Sequence, residues 1–458
     1  MRTKTAVILQ RFILLLVVAL LIFVFQYAWR ALPIISGYSA KMTCSCHFLA
    51  GRTVESIRAE ELGSGPLHLA SVAVSKDDSS ATASVFGMAS RKAIYRRGLG
   101  CTLVTGITET AIRKQPLPAM VQLPPDTGYW PQGNRLADTL PAGIQTEKLA
   151  AAVSNAFLDK DPQKPVRSRA VIVVYNQQIV AEKYGDGYNS AMPLLSWSMA
   201  KSVTSALVGI LVKDGKLDPG AAAPVAAWRS VKDGREQITI RNLLQQSSGL
   251  DFEENYKKPT DATDMLYKEA DMGGFTAAHT LREAPGSRFY YSSGNSNILS
   301  GIIRSAVGEK EYLNFPRERL FQPLGMRSML LEPDANGSFV GSSYAFATAR
   351  DWARFGLLYL NDGWWNGQRI LPEGWVKATV TPNPVAPMGE YGYQFWLNAG
   401  KRYPALPTDL YYADGYEGQY VVIIPSRKVV LVRLGQTAND QFDFAAFVQQ
   451  ILEALPPQ

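Results

Sequence analysis

The stretch Leu195-Ser196-Trp197-Ser198-Met199-Ala200-Lys201-Ser202-Val203-Thr204 constrains this chain more than any other. It sets a Ser-x-x-Lys pattern at the mouth of an amphipathic helix. Val203, Ala206, Leu207, Ile210 and Leu211 recur at helical spacing and demand a core to bury them. Gly215 stands where a helix C-terminus takes a left-handed residue. Ser198 therefore falls in the first turn, with Lys201 one turn on and on the same side. A helix N-terminus carries positive potential and unpaired N–H groups, which favour an alkoxide at Ser198 and an oxyanion beside it. An amine at Lys201 can accept or relay the serine proton. Ser-x-x-Lys is common on ordinary surface helices, so a catalytic reading needs further motifs downstream.

Of 458 residues, 47% are hydrophobic and 19% charged, which describes a globular chain with a large core. The length fits two or three domains, or one large domain with extensions. The net charge of +7 is modest, and part of it comes from Arg2, Lys4, Arg11 and Arg30, which flank an apolar segment. The other basic residues are scattered, so no nucleic-acid partner is expected. His47, His68 and His279 are the only histidines; neither they nor Cys44, Cys46 and Cys101 have metal-ligand spacing, so neither metal nor cofactor is expected. Oligomeric state is not encoded in any pattern here.

The apolar segment sets the compartment. Phe12 to Trp29 is uncharged, borders on the length of a bilayer span, and ends in Tyr27 and Trp29 where an aromatic belt falls. Arg2, Lys4 and Arg11 orient the N-terminus inside and the rest outside. The alternative is a cleaved signal peptide, which would make the protein secreted, but no small-x-small site follows closely. Both readings put the catalytic part outside the cytoplasm, on the periplasmic side. One disulfide is expected there, between Cys44 and Cys101, with Cys46–Cys101 a close alternative.

Four regions follow: 1–30, a membrane anchor or signal segment; 31–113, a small β-rich N-terminal subdomain; 114–143, a Pro/Gly-rich connector; and 144–458, the catalytic domain. Residues from about 41 to 105 show little helical periodicity. Val72 and Val74, then Ala81, Ala83 and Val85, alternate around Lys76-Asp77-Asp78-Ser79 and read as a hairpin. Leu149, Ala152, Val153, Ala156 and Phe157 mark a helix, and Arg169–Tyr175 with Ile179–Tyr184 a strand pair. Thr348-Ala349-Arg350-Asp351 reads as a capping box. Gln419–Ile424 and Val429–Leu434 form a second hairpin, and Phe444, Phe447, Val448, Ile451 and Leu452 a last helix. Helix, hairpin, helical insert, hairpin, helix predicts an α/β chain of the α+β type: an antiparallel β-sheet flanked by helices, with an inserted helical region.

Two further stretches carry chemistry. Pro285-Gly286-Ser287-Arg288-Phe289-Tyr290-Tyr291-Ser292-Ser293-Gly294-Asn295 runs from a turn through aromatics into a small polar loop. A tyrosine beside a lysine ammonium has its phenolate favoured and can act as general base. The plain alternative is a core tyrosine, and chemistry alone does not choose between Tyr290 and Tyr291. Ala413-Asp414-Gly415-Tyr416-Glu417-Gly418-Gln419 enters the last hairpin, where glycines allow close approach and a strand N–H can complete an oxyanion hole. A turn with a β-bulge would read the same way.

Ser198-Met199-Ala200-Lys201, Tyr291-Ser292-Ser293 and Ala413-Asp414-Gly415, in this order, resemble class C β-lactamases, D-alanyl-D-alanine peptidases of that fold and related esterases. Arg169 to Val174, Ser247-Ser248-Gly249-Leu250 and Ala347 to Asp351 extend the resemblance from about Thr146 to Leu455. Phe289 to Ser293 and the tyrosine of Glu254-Asn255-Tyr256 are most similar to 6-aminohexanoate-dimer (nylon oligomer) hydrolases and their esterase relatives. The resemblance implies a β-lactamase/transpeptidase-like fold and a serine hydrolase with an acyl-enzyme on Ser198. It further implies Lys201 as proton partner, Tyr291 rather than Tyr290 at the base position, N–H groups of Ser198 and Tyr416 as oxyanion hole beside Gly415, and Tyr256 closing over substrate. Ser293 replaces the lactamases' Asn and Ala413 their Lys or His. A cation at that last position pairs with the substrate carboxylate, so small linear amides or esters are expected in place of β-lactams. A β-lactamase or D,D-carboxypeptidase, and a non-catalytic binder of the same fold, are the rivals. A Ser-His-Asp hydrolase is disfavoured, since no Gly-x-Ser-x-Gly elbow occurs and His279 is the one histidine in the matching region.

Overall fold

The structure, a computed structural model, describes residues 4–119, 126–159, 161, 164–438 and 441–457. The chain opens with helix α1 (Lys4–Phe48) and a four-stranded antiparallel meander of β1 (Ala70–Ser75), β2 (Ser80–Val85), β3 (Met88–Arg96) and β4 (Gly100–Leu103). Helix α2 (Thr146–Asn155) and strands β5 (Ser168–Tyr175) and β6 (Gln178–Tyr184) follow. Then come α3 (Met199–Lys213), α4 (Ser293–Val307) and α5 (Ala349–Leu360). The chain closes with β7 (Trp396–Leu397), β8 (Tyr411–Gly415), β9 (Gln419–Ile424), β10 (Val429–Gly435) and α6 (Phe444–Ala454).

Strands β5–β10 form one antiparallel sheet in the order β7-β8-β9-β10-β5-β6. Val430 pairs with Val174 and Leu431 with Val173, so the two predicted hairpins meet at the sheet centre. Both faces are apolar because both are covered. Ile172, Val174, Val430 and Val432 pack with α3 and α5, while Val171, Val173, Val429 and Leu431 pack with α2 and α6. The alternation of a strand thus gives a core on each side. Helix α3 is buried from Met199 to Leu211, and Gly215 beyond it has φ +68°. At α5, Thr348 accepts the Asp351 N–H at 3.3 Å, but the reciprocal arm of a capping box is not formed. The Asp351 carboxylate instead takes the Ser328 N–H at 2.8 Å and Arg354 Nη1 at 2.7 Å.

The N-terminal region differs from its sequence pattern. Residues 41–48 belong to α1, although they show little helical periodicity. A helix covered on all sides loses its polar stripe, and Met42, Cys44 and Cys46 are buried while Lys41 is paired with Glu332. Cys44 and Cys101 are joined by a disulfide, and Cys46 is a buried free thiol. Ala40, Met42, Ala81 and Ala83 share one apolar cluster with Leu195, Trp197, Phe252 and Tyr344. The meander and the inner half of α1 are therefore packed directly beside the Ser198 turn. In the connector, Arg354 donates to Pro131 and Gly133 carbonyls and lies 4.7 Å over the Trp130 ring.

Candidate active site

Ser198 caps α3 with φ −66°, directly after Trp197, whose φ of +46° is a strained conformation for a bulky residue. The surroundings hold Trp197 there. Its ring stacks on Tyr38 of α1 (centroids 6.2 Å, 19°), packs near Tyr344, and donates from Nε1 to Glu417 at 3.2 Å. Ser198 sits half-buried on the floor of a cleft of about 850 Å³.

Lys201, 1% exposed, points at Ser198. Its Nζ donates to Ser198 Oγ at 2.9 Å, Ser293 Oγ at 3.0 Å and the Ser342 carbonyl at 2.9 Å. Burial pushes its pKa down to about 8, with Glu254 and Asp414 pulling the other way. Roughly a tenth of the amine is thus neutral at pH 7.

Tyr291 lies across the cleft floor, its ring 4.9 Å from Lys201 Nζ, stacked on Trp396 (5.4 Å, 29°) and edge-on to Tyr391. Burial, then Tyr391, raises its pKa well above the usual phenol value, while a hydrogen bond with Ser198 lowers it. A phenolate favoured by a neighbouring charge is thus opposed here by burial, the largest cause, which holds the phenol toward its protonated form. Tyr290 is turned away, and its hydroxyl accepts the Glu254 N–H at 3.0 Å.

Ser293, at the start of α4, is the hub of the polar floor. Besides accepting from Lys201, its Oγ donates to Glu254 Oε1 at 2.6 Å and lies 2.9 Å from the Tyr256 hydroxyl. The Ser293 N–H donates to Glu254 Oε2 at 2.8 Å, and Tyr256 Oη donates to Oε1 at 2.7 Å. Glu254 thus sits at the N-terminus of α4, where a carboxylate is favoured. Tyr256, 45% exposed, stands on the cleft rim as a side chain that substrate can contact.

Strand β8 forms the opposite wall. Ala413 is fully buried, while Asp414 faces the cleft; burial pushes its pKa up to about 7 against Arg402 and Lys201. A Cβ on Gly415 would lie 2.1 Å from the Ser196 carbonyl, so only glycine lets the strand approach the Ser198 turn. Tyr416 follows on the rim, edge-on to Trp197 at 5.8 Å. Arg402 is the cation of this wall, 5.5 Å over the Trp396 ring. Arg427 does not line this cleft and donates to the Leu452 and Pro456 carbonyls. The cleft then runs outward between Tyr403, Tyr412, Tyr420 and Phe444. His279 packs between Phe252 and Phe275, and none of the three histidines lines this cleft.

The model of the family described as beta-lactamase matches residues 148–455. The chain belongs to the β-lactamase family. Among curated proteins it is similar to the 6-aminohexanoate-dimer hydrolase of Paenarthrobacter ureafaciens, 26% identical over 294 residues, 58% of this chain and 71% of that one. A solved Bacillus anthracis structure, provisionally named a 6-aminohexanoate-dimer hydrolase, is 25% identical with a TM-score of 0.55 over 64% of this chain and 81% of that one. A penicillin-binding-protein homologue from Caulobacter crescentus shares the fold at 16% identity, with a TM-score of 0.54 over 69% of this chain and 98% of that one. As a β-lactamase family member the chain is a serine hydrolase.

The structure brings Ser198, Lys201, Tyr291 and Ser293 together around the Lys201 amine, and sets Gly415, Tyr416 and Tyr256 around the same cleft. Sequence reasoning missed Glu254, which stands two residues before Tyr256 and was legible only as its neighbour. It also missed Asp414, Trp396 and Arg402, whose places depend on the sheet.

Proposed function

We propose that the protein is a membrane-anchored hydrolase that cleaves amide or ester bonds of small linear substrates through an acyl-enzyme on Ser198. The observation that carries this reading is the buried amine of Lys201, 2.9 Å from Ser198 Oγ and pushed down to about 8. Neutral Lys201 takes the Ser198 proton as Oγ attacks the carbonyl carbon. The N–H groups of Ser198 and Tyr416 hold the developing oxyanion. Tyr291, protonated and hydrogen-bonded to Ser198, passes a proton to the leaving amine or alkoxide; water then hydrolyses the ester on Ser198 by the reverse route. Ser293 and Glu254 keep Lys201 aimed, and Tyr256 contacts the bound chain.

Uncharged substrates fit the cleft because Ala413 is buried and supplies no cation, while Glu254 and Asp414 face substrate. An unpaired carboxylate brought there costs about 1–3 kcal/mol, or roughly tenfold to a hundredfold in efficiency. Arg402 is the one observation favouring a carboxylated substrate such as a β-lactam. Efficiency on a short-chain nitrophenyl ester should exceed that on a chromogenic cephalosporin; a cephalosporin preferred by an order of magnitude would replace this reading with a β-lactamase.

The helix from Ile8 onward is long and apolar enough to cross a membrane, and its outer residues from Ile8 to Phe25 are exposed. We read its uncharged Phe12–Trp29 stretch as the anchor, with the catalytic domain on the extracytoplasmic side, in keeping with Arg2, Lys4 and Arg11 before that stretch and the Cys44–Cys101 disulfide beyond it.

A further inference from the structure

Helix α1 changes surroundings along its length. It is exposed from Ile8 to Arg30 apart from Ala28, half-buried from Ala31 to Ile34 and, apart from Tyr38, buried from Ile35 to Cys46. The membrane surface of an anchored chain therefore falls near Trp29–Leu32. Strand β2 runs back along this helix toward that level. Ala81 and Ala83 share an apolar cluster with Ala40, Met42 and Cys44, whereas Val85 clusters with Leu32 and Ile35. Those four residues of strand span about 13 Å, and the matching step on the helix about 12 Å. One to two residues further, the β2–β3 turn Phe86-Gly87-Met88 comes level with about Trp29 to Ala31. Ser36 Oγ fixes the turn there by donating to the Ala89 carbonyl. At its tip Phe86 is 69% and Met88 54% exposed, neither belongs to an apolar cluster among the described residues, and Leu69 beside the same cluster is 37% exposed.

We propose that the Phe86-Gly87-Met88 turn is a second membrane contact, inserted at the boundary between headgroups and acyl chains in the leaflet that α1 leaves. Large apolar side chains at that depth gain burial that water denies them. Phe86 then stands in the aromatic belt with Tyr27 and Trp29. One helix leaves a domain free to rotate about it; a helix and a turn fix which side of the domain faces the lipid. The inference rests on α1 spanning the membrane.

The test places nitroxide labels one at a time on the full chain, in a Cys46→Ala background, in phosphatidylcholine–phosphatidylglycerol vesicles. Leu20→Cys reports the span, Met88→Cys the turn, and Asp77→Cys the opposite end of the hairpin. Power saturation compares accessibility to oxygen, which partitions into lipid, with that to a nickel chelate, which does not. The expected result is a lipid-side ratio at Leu20 and Met88, several-fold above a water-side ratio at Asp77. A water-side ratio at Met88 with Leu20 still lipid-side overturns the inference and leaves the anchor standing. A Met88 label reached by neither agent points to a protein partner or a second copy over the turn, and overturns it as well. A water-side ratio at Leu20 removes the anchor reading itself.

Discussion

Replacing Glu254 with glutamine should move the acid limb of the activity profile to lower pH. Lys201 must be neutral to accept the Ser198 proton, and its pKa of about 8 leaves roughly a tenth of it neutral at pH 7. Efficiency should therefore rise with pH, about tenfold per unit well below 8, and level off above it. Glu254 opposes the burial of Lys201 by stabilising its charged form. The two groups are joined through Ser293 Oγ by contacts of 3.0 and 2.6 Å, which places the charges within about 5–6 Å. At an effective dielectric of 20 that separation is worth at most about 3 kcal/mol. The half-buried carboxylate on an open cleft discounts it to about half, or about one pH unit. Asp414 remains in both proteins and cancels from the comparison. The assay is kcat/KM on an uncharged nitrophenyl ester, followed from about pH 5 to pH 10. Lost orientation of Ser293 will lower the plateau, so the position of the limb is the readout and its height is not. A limb that stays put, or moves to higher pH, refutes the assignment of Lys201 as the titrating base.

Tyr291→Phe should cost about a hundredfold or more in acylation rate, the scale of a positioned proton relay, and Lys201→Ala at least as much. Tyr290→Phe should cost far less, because its hydroxyl holds the Glu254 N–H and does not face Ser198; the reverse ranking in pre-steady-state kinetics would show the wrong ring chosen. Lys41→Ala should destabilise the fold by about 3–5 kcal/mol, since it strands the fully buried Glu332 carboxylate without its cation. Denaturant unfolding measures this, and Glu332→Gln in the same chain should recover part of the loss.

The parts legible in sequence are those in which local pattern and tertiary placement agree. Both hairpins around the sheet centre show in the apolar runs of Arg169–Tyr175 and Val429–Leu434, because strands covered on both faces need no polar residues. Ser198 and Lys201 lie one helical turn apart, so their proximity needs only a helix. Tyr291 is separated from them by the whole insert, and only motif order linked it to Ser198. Where a position is set by long-range packing the sequence carries less. The inner half of α1 hides its helical period because meander, Glu332 and Tyr344 enclose it. The upward direction at Tyr291 is not legible because burial, its largest cause, comes from a cleft that Trp396 and Tyr391 complete. Arg402 reaches the cleft only because the β7–β8 connection folds it over Trp396, a placement no local pattern encodes.

The central claim is that Ser198 is the atom acylated. A fluorophosphonate probe loses fluoride to an activated serine and leaves a phosphonyl group on its oxygen, which peptide mass spectrometry locates. The account predicts one modified peptide, carrying the label on Ser198, and an unlabelled Ser198→Ala protein that still unfolds cooperatively. Labelling at a different serine, or equal labelling of Ser198→Ala, would contradict it.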